Sequence, residues 1–307
     1  MARGGPLTDV AVTDVAGAVP LSGGYSGETF LVELASGERA VLRIYGRDPT
    51  RAPIDAALLR LVRGLVPVPV VLDLRRAGPD PAHLLTSYVS GTRLELVLPA
   101  VEPGLRSRLA VAVTDVLVAL SGMPFVRPGM FVDADLRLSE QLAPADGLVE
   151  WLDLHQEGTP LAGWDPGLRR SLSQVCLHTD ALLETVDRTC LVHSDFNAKN
   201  ILVDPGTAAV TAVVDWEFAH AGSPYSDLGN LLRFERGTAW AEEVHDLFVA
   251  RAPGAGPGAL TLAYASDLWA LIELAARETR HAVVVGADEL LRAIARSGDL
   301  HASGGPG

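Results

Sequence analysis

The 307-residue sequence lacks several features that would assign a protein to a class at once. It has two cysteines, Cys176 and Cys190, which form no Cys-x-x-Cys pair, so neither a disulfide framework nor a thiolate metal site is indicated. No uncharged apolar run approaches the ~18 residues that a membrane helix needs. The first residues also lack the apolar segment of a signal peptide. We therefore expect a cytoplasmic protein with two buried, reduced thiols and no membrane contact.

Positive charge is scarce, and almost all of it is arginine. Lysine and arginine total 25 against 38 aspartates and glutamates, which gives a net charge of −13 at pH 7. This balance disfavours nucleic acid as a partner, because such binding relies on neutralising phosphates. Lys199 is the only lysine in the chain, which draws attention to the segment around it.

The order of sequence patterns predicts an α+β fold with two lobes. Short alternating segments dominate the first 90 residues, whereas long helical periodicities follow Gly91. At this length a single hydrophobic core is near its limit. We predict a β-rich lobe over residues 1–90, a mainly helical lobe over 91–296 and a mobile tail over 297–307.

Hydrophobic period and turn residues define the individual elements. The predicted helices are Pro53–Leu65, Leu105–Leu120, Gly167–Val186 with a cap at Asp165, and Tyr264–Arg280. The predicted strands are Ala18–Leu21, Glu28–Leu34, Arg39–Tyr45, Val70–Leu74, His83–Val89, Cys190–Val192, Ile201–Val203 and Val210–Val214.

A polar loop lies among the last three of these strands. The turn that begins Asp204-Pro205-Gly206 joins two of them into a hairpin. This order places Asp195, Asn200 and Asp215 on loop ends that can converge. Phosphoryl transfer from ATP requires such a set, because it needs a carboxylate to accept or orient the attacking hydroxyl and oxygen ligands for Mg²⁺.

The spacing His193-x-Asp195, with Asn200 five residues after the aspartate, is that of the kinase catalytic loop. Together with Asp215-Trp-Glu217, it resembles the aminoglycoside phosphotransferase and choline kinase family. Ser194 and Ser223 depart from that pattern, since they stand where the family has glycine and aspartate. Weaker similarity extends through Ser22–Gly27, Val41–Tyr45, Leu65–Val70, Tyr88–Leu94 and Gly222–Gly229.

The resemblance implies a protein-kinase-like fold that binds the nucleotide between its lobes. It assigns roles residue by residue. Asp195 would be the catalytic base, and His193 would hold the loop backbone. Asn200 and Asp215 would bind Mg²⁺, and Asp227 would tie the following helix to the loop.

Kinases hold the nucleotide phosphates with a strand lysine that pairs with a helix glutamate. Here the strand offers Arg43 and the helix offers Asp55, whose inward-facing carboxylate needs a partner. We predict that these two residues form an ion pair that positions Arg43 on phosphate; an ordinary surface arginine is the alternative. Lys199 either approaches the transferred phosphoryl group or is a solvated loop residue.

Two further segments are expected to contact the nucleotide. The glycine-rich segment that includes Ser26 and Gly27 offers backbone amides to phosphate, although a plain hairpin loop fits the same residues equally well. By resemblance, the backbone from Ser87 to Val89 meets the edge of the adenine.

Acidic residues indicate the acceptor. Between Gly129 and Pro160, seven acids accompany a single arginine, Arg137. An acidic rim there would attract a cation, although a solvated acidic face is an equal alternative. The candidate acceptor-binding residues are Glu217, Asp153, Glu150 and Glu273, with Asp267 and Glu278 as further carboxylates. The tryptophans 151, 164, 216 and 269 form either part of the core or a cage for a quaternary amine.

The sequence thus predicts an ATP- and Mg²⁺-dependent O-phosphotransferase, with GTP as an alternative donor. The expected acceptor is an aminoglycoside-like or basic peptide antibiotic, in resistance or self-protection. A kinase of choline, homoserine or a sugar is one alternative, and a non-catalytic pseudokinase that binds a partner is another. We expect a monomer or homodimer.

Overall fold

The computed structural model describes residues 15–21, 28–78, 80–140, 145–279 and 281–304. This part of the chain divides into two compact units. The hairpin that follows the polar loop falls in the first unit, whereas the sequence pattern placed it with residues 91–296. The first unit takes its residues from Met1–Ala100, Phe131–Ser139 and Lys199–Phe218, and the second from Val101–Met130, Glu140–Ala198 and Ala219–Gly307.

An antiparallel sheet forms the centre of the first unit. Its strands are β1 (Val15–Pro20), β2 (Glu28–Leu34), β3 (Arg39–Tyr45), β4 (Val71–Arg75) and β5 (Ala82–Ser87), and they pair in the order β1-β2-β3-β5-β4. The structure confirms the predicted bounds of β2 and β3, because Gly37, at φ 82°, ends one strand and starts the next. Val32, Leu34, Leu42 and Leu85 form the buried face of this sheet.

Helix α1 (Arg51–Val62) packs on strands β4 and β5. It starts two residues before the predicted helix. Pro53 is tolerated because the first helical N–H groups have no partner within the helix. Ile54, Leu58 and Val62 are buried along one stripe.

A second, smaller sheet in this unit contains β6 (Thr92–Arg93), β10 (Ile201–Asp204) and β11 (Ala209–Val213). The predicted hairpin of β10 and β11 is confirmed. Gly91 allows the chain to pass close to it, because a Cβ there would lie 2.5 Å from Thr211 Oγ1. The four-residue helix α2 (Leu94–Val97) follows β6.

The second unit is mainly helical. Asp165 caps helix α5 (Pro166–Leu183) by accepting hydrogen bonds from the backbone of Gly167 and Leu168, as predicted. The helices are α3 (Pro103–Ser121), α4 (Leu148–Gln156), α5 (Pro166–Leu183), α6 (Ser226–Leu232), α7 (Ala239–Arg251), α8 (Ala259–Ala275) and α9 (Ala282–Ser297). The short strands β7 (Pro124–Phe125), β8 (Gly129–Met130), β9 (Thr189–Val192) and β12 (His220–Gly222) form a sheet in the order β7-β9-β12-β8.

Helices α4, α5, α8 and α9 enclose the core of this unit, which includes Leu152, Leu172, Leu268 and Leu291. Helix α6 lies very close to α8, since a Cβ on Gly229 would be 2.1 Å from the carbonyl oxygen of Ala263. Such an approach is possible only for glycine.

The described residues of the predicted tail make specific contacts. Arg236 is 7% exposed and donates hydrogen bonds to the carbonyl oxygens of Leu300 and Ala302. Thr261 Oγ1 lies 2.9 Å from His301 Nε2. The buried guanidinium needs acceptors, and this segment supplies them.

Cys176 and Cys190 are both free and buried, as predicted. Burial raises the pKa of each thiol to about 12, so neither is reactive at neutral pH. None of the helices in the described ranges combines the length and apolarity needed to span a lipid bilayer.

Candidate active site

A carboxylate from α6 binds the backbone of the loop after β9. Asp227 accepts hydrogen bonds from the backbone nitrogens of His193 and Ser194, each at 2.8 Å. His193 is completely buried, and its Nδ1 accepts a 3.3 Å hydrogen bond from the Asp195 nitrogen. The predicted tie between Asp227 and the loop is therefore confirmed, and His193 contacts the loop backbone as expected.

Asp227 is an unusual carboxylate. Its burial raises the pKa to about 7, although the two backbone donors lower it, and the nearby Asp195 adds to the increase. The group therefore changes charge near neutral pH while it holds the loop.

Asp195 is half-buried, and its Oδ1 accepts a 2.6 Å hydrogen bond from Asn197 Nδ2. This contact fixes the orientation of a carboxylate that remains accessible to solvent. Lys199, four residues later, is exposed.

The open end of the β10–β11 hairpin brings Asn200 and Asp215 together. Ile201 pairs with Val213, and Val214 N donates a 3.0 Å hydrogen bond to the carbonyl oxygen of Asn200. Asp215 is in the left-handed region with φ 68°, which aspartate tolerates better than most residues. Both residues belong to the first unit, whereas Asp195 belongs to the second.

An amide oxygen and a carboxylate on one hairpin end suit Mg²⁺, which binds through one or two carboxylates and completes its shell with phosphate and water. The described residues contain no group of three or more His, Cys, Asp or Glu residues placed to hold a metal.

Arg43 on β3 forms ion pairs with both carboxylates of the Asp215-Trp-Glu217 segment. Its Nη1 lies 2.9 Å from Asp215 Oδ1, and its Nη2 lies 2.5 Å from Glu217 Oε2. Burial acts to lower the pKa of Arg43, but Tyr45, Asp215 and Glu217 raise it above its ordinary value. Burial, followed by repulsion from Asp215, raises the pKa of Glu217.

The predicted ion pair between Arg43 and Asp55 is wrong. Asp55 is buried, as expected, but it accepts hydrogen bonds from Tyr45 Oη and from Arg51 Nε, both at 2.7 Å. Arg51 lies one helical turn before Asp55, so this local pair forms at little cost in chain entropy. Its Nη2 also donates to the carbonyl oxygen of Trp216 at 2.9 Å.

The other residues expected to contact nucleotide are placed as follows. Ser26 and Gly27 lie outside the described residues. Ser87 and Val89 are half-buried where β5 ends. The Ser87 hydroxyl accepts a 2.9 Å hydrogen bond from the Val70 nitrogen, and the Ser87 nitrogen donates a 2.8 Å hydrogen bond to the Val70 carbonyl oxygen.

The predicted acceptor-binding acids are distributed over both units. Glu150 and Asp153 are exposed on α4, and Glu273 is exposed on α8 in the same unit, where it pairs with Arg277 at 2.7 Å. Glu217 belongs to the other unit and pairs with Arg43. Glu150 and Asp153 are three residues apart on one helix.

The structure corrects the interpretation of Asp267 and places two of the tryptophans in buried positions. Asp267 is 3% exposed and accepts two hydrogen bonds from Arg233 Nε and Nη2, so it offers no carboxylate to a ligand. Glu278 lies beyond the end of α8. Trp164 and Trp216 are each 3% exposed, as the core interpretation expects.

Trp151 and Trp269 are partly buried against the core. Their ring centroids are 5.4 Å apart, and Trp151 Nε1 donates to the carbonyl oxygen of Trp269 at 2.9 Å. Both rings are thus engaged in the packing of α4 on α8.

The sequence interpretation missed three residues that support the site, namely Tyr45, Arg51 and Asn230. The Asn230 side chain donates to the Ser194 carbonyl oxygen at 3.4 Å. It follows Asp227 by three residues, so the two share one face of α6, and that spacing was a signal available in the sequence.

The model of the phosphotransferase enzyme family matches residues 17–262 of the chain. The chain therefore belongs to this family, and its class is that of kinase-type transferases. The predicted resemblance to aminoglycoside phosphotransferases is confirmed.

Two relatives illustrate the similarity. An aminoglycoside 3'-phosphotransferase of Streptomyces fradiae is 31% identical over 209 residues, which is 61% of this chain and 68% of the relative. The acyl-CoA dehydrogenase family member 10 of Mus musculus is 24% identical over 234 residues, or 67% of this chain. The matched region spans only 19% of that mouse protein.

Solved structures confirm the α+β, protein-kinase-like fold. A thermostable mutant of the aminoglycoside phosphotransferase APH(4)-Ia, in ternary complex with ADP and hygromycin B, has a TM-score of 0.65 and 21% identity, and the match covers 92% of this chain and 95% of that one. The GDP complex of aminoglycoside 2'-phosphotransferase-IIIa has a TM-score of 0.68 and 16% identity, covering 93% and 94%.

Proposed function

We propose that this protein transfers the γ-phosphoryl group of ATP to a hydroxyl of a cationic small molecule. One observation supports this most directly. At the hairpin end, Asp215 lies 2.9 Å from Arg43, and the backbone carbonyl of Asn200 accepts a hydrogen bond from Val214, the residue before Asp215. Oxygen ligands for Mg²⁺ next to a phosphate-binding cation are what a nucleotide triphosphate requires.

In the proposed reaction, Asp195 accepts the proton of the acceptor hydroxyl as its oxygen bonds to the γ-phosphorus. The bond between that phosphorus and the β–γ bridging oxygen breaks, and ADP leaves. Asp195 then returns the proton to solvent. No covalent enzyme intermediate is needed, since positioning and electrostatics supply most of the catalysis of phosphoryl transfer.

Asn200 and Asp215 would hold Mg²⁺, which offsets charge on the nucleotide phosphates when it is bound. Arg43 would bind phosphate oxygens bidentately, a geometry that guanidinium favours. Glu217 would keep its ion pair with Arg43 when a phosphate oxygen takes the place of Asp215 on the guanidinium. Lys199 is an exposed residue between Asp195 and Asn200 in sequence, and we keep it as a candidate for contact with the transferred group.

A cationic acceptor is supported by the net charge of −13 and by the exposed pair Glu150 and Asp153 on α4. The name of the Streptomyces fradiae relative points to an aminoglycoside. With Asp267 already paired to Arg233, fewer carboxylates are available than the sequence suggested.

A direct test would measure ADP release with ATP or GTP, with and without Mg²⁺, in the presence of single aminoglycosides, basic peptide antibiotics, choline, homoserine and sugars. We expect Mg²⁺-dependent ADP release and a gain of one phosphoryl mass on an aminoglycoside. Turnover of choline, homoserine or a sugar alone would show a metabolite kinase instead. Nucleotide binding without any turnover across the panel would indicate a pseudokinase.

A further inference from the structure

The residue before the proposed base has a backbone conformation that needs support. Ser194 has φ 70°, in the left-handed region that residues with a Cβ rarely adopt. A serine released from its contacts would relax to negative φ. That change would rotate the peptide leading into Asp195, so the position of the base depends on whatever holds Ser194.

Both backbone groups of Ser194 are bonded to α6. Its N–H donates to Asp227 Oδ1 at 2.8 Å, and its carbonyl oxygen accepts from Asn230 Nδ2 at 3.4 Å. That carbonyl belongs to the same peptide plane as the Asp195 nitrogen, which donates to His193 Nδ1 at 3.3 Å. The peptide is therefore held at its oxygen by Asn230 and at its nitrogen by His193.

Helix α6 is a fixed support for these contacts. Gly229 lies against the Ala263 carbonyl of α8. Arg233, at the end of α6, forms a bidentate ion pair with the buried Asp267 of α8. Asp227 and Asn230 thus project from a helix that is anchored on both sides of Asn230.

Asn230 is not explained by its contribution to packing. It is 7% exposed, and its Oδ1 is buried with no hydrogen-bond partner in the described part of the chain. An unsatisfied buried oxygen is destabilising, and the neighbours Leu228, Leu231 and Leu232 show that apolar residues fill this helix readily. The remaining contact of the amide is the one with Ser194.

We infer that Asn230 is a positioning residue for catalysis, which holds the Ser194 peptide in its left-handed conformation so that Asp195 faces the acceptor hydroxyl. The inference rests on the proposed function of Asp195. It differs from the role of Asp227, because Asn230 acts on the carbonyl of the peptide that leads into the base.

The test compares Asn230→Ala in the natural background and together with Ser194→Gly. Glycine adopts positive φ without a steric penalty, so it needs the support less. We expect Asn230→Ala alone to lower kcat about tenfold with little change in KM for ATP, as for a modest misplacement of a catalytic group. In the Ser194→Gly background the same substitution should lower kcat about threefold or less.

Leu231→Ala serves as the control for lost packing in α6 and should leave kcat unchanged at a temperature where the variant is folded. An equal loss from Asn230→Ala in both backgrounds, or a loss confined to KM, would overturn the inference. Asp195→Asn is measured beside them. If that variant keeps the wild-type rate, the proposed base is wrong, whereas a slow Asp195→Asn with a fast Asn230→Ala rejects the positioning role alone.

Hydrogen exchange of the amides from His193 to Phe196 gives a readout that does not depend on turnover. We expect faster exchange in Asn230→Ala than in Leu231→Ala, because the Ser194 peptide loses its carbonyl contact. Identical exchange in the two variants would also overturn the inference.

Discussion

The loop around Asp195 and the segment around Arg43 are stabilised in different ways. The loop is held through its backbone, by two hydrogen bonds to a buried carboxylate that is itself close to neutral. Arg43 is held through its side chain, by ion pairs with two carboxylates that are 9% and 25% exposed. A charged ligand can take the place of one partner in an ion pair. It cannot take the place of a buried carboxylate that is hydrogen-bonded to the loop backbone. We therefore expect the loop to be preformed and the arginine to change partners when a nucleotide binds.

The largest effect is expected at the loop. Asp195→Asn keeps the shape of the side chain but removes the proposed general base, so kcat should fall by about 10²–10⁴ with similar affinity for nucleotide. Steady-state kinetics and nucleotide titration check this. Asp187→Asn, an exposed aspartate of the same unit, should leave both unchanged.

At β3 we expect the opposite result, a weaker affinity for nucleotide with a smaller change in kcat. Arg43→Ala should raise KM for ATP by about 10–100-fold, the size of losing a charge-assisted bidentate contact, while kcat changes less. Arg75→Ala, an exposed arginine on strand β4 of the same sheet, is the matched control. An unaltered KM, or a loss in kcat alone, would break the contrast between the two regions.

The free energy of unfolding measured against pH would test the charge of the carboxylate that holds the loop. Asp227 has its pKa raised from 3.8 to about 7, so between these values the native state binds more protons than the unfolded state. Its contribution to the free energy of unfolding is complete below about pH 4 and is lost as the pH rises through 7. Relative to Asp227→Asn, the wild type should lose stability over this window, by a few kcal/mol in denaturant titrations.

The difference in the free energy of unfolding between the wild type and Asp227→Asn is the quantity to follow. A difference that is constant with pH, or that grows in favour of the wild type as the pH rises, would contradict the raised pKa. It would also show that the loop is held by a permanently charged carboxylate, as Arg43 is held by its partners.

The smallest effect is expected for Ser194→Gly. Relief of the left-handed strain outweighs the greater freedom of glycine in the unfolded chain, so stability should rise by about 0.5–1 kcal/mol. Thermal unfolding measures the change. Ser173→Gly inside α5 should have the opposite sign, because its backbone is helical.

Features with local signals were predictable from the sequence. The β10–β11 hairpin follows from Asp204-Pro205-Gly206, and the start of α5 follows from Asp165. The connection from Asp227 to the loop came from the resemblance alone, because no local pattern relates two segments that are 34 residues apart.

The partners of Arg43 could not be predicted in the same way. The predicted helix started at Pro53, which left Arg51 outside it and hid the one-turn pair with Asp55. With Asp55 satisfied locally, Arg43 pairs with carboxylates more than 170 residues away. Such choices depend on tertiary packing and on competition between ion pairs.

Several helices were not predicted from their own sequence patterns, although the resemblance placed one at Asp227. Helix α9 carries a clear apolar stripe, including Val284, Leu291 and Ile294, and was identifiable. Helix α6 is seven residues long and contains Asp227, Gly229 and Asn230, so neither length nor periodicity marks it. Its position is set by contact with α8.

The exposed Lys199 is a site for selective chemical labelling. It is the chain's only side-chain primary amine, and it directly precedes Asn200 in sequence. An amine-reactive fluorophore or an acyl-phosphate nucleotide probe would therefore modify a single side chain beside the proposed metal ligand, without any engineered mutation. Mass spectrometry of the labelled peptide would report occupancy of the site in the natural sequence.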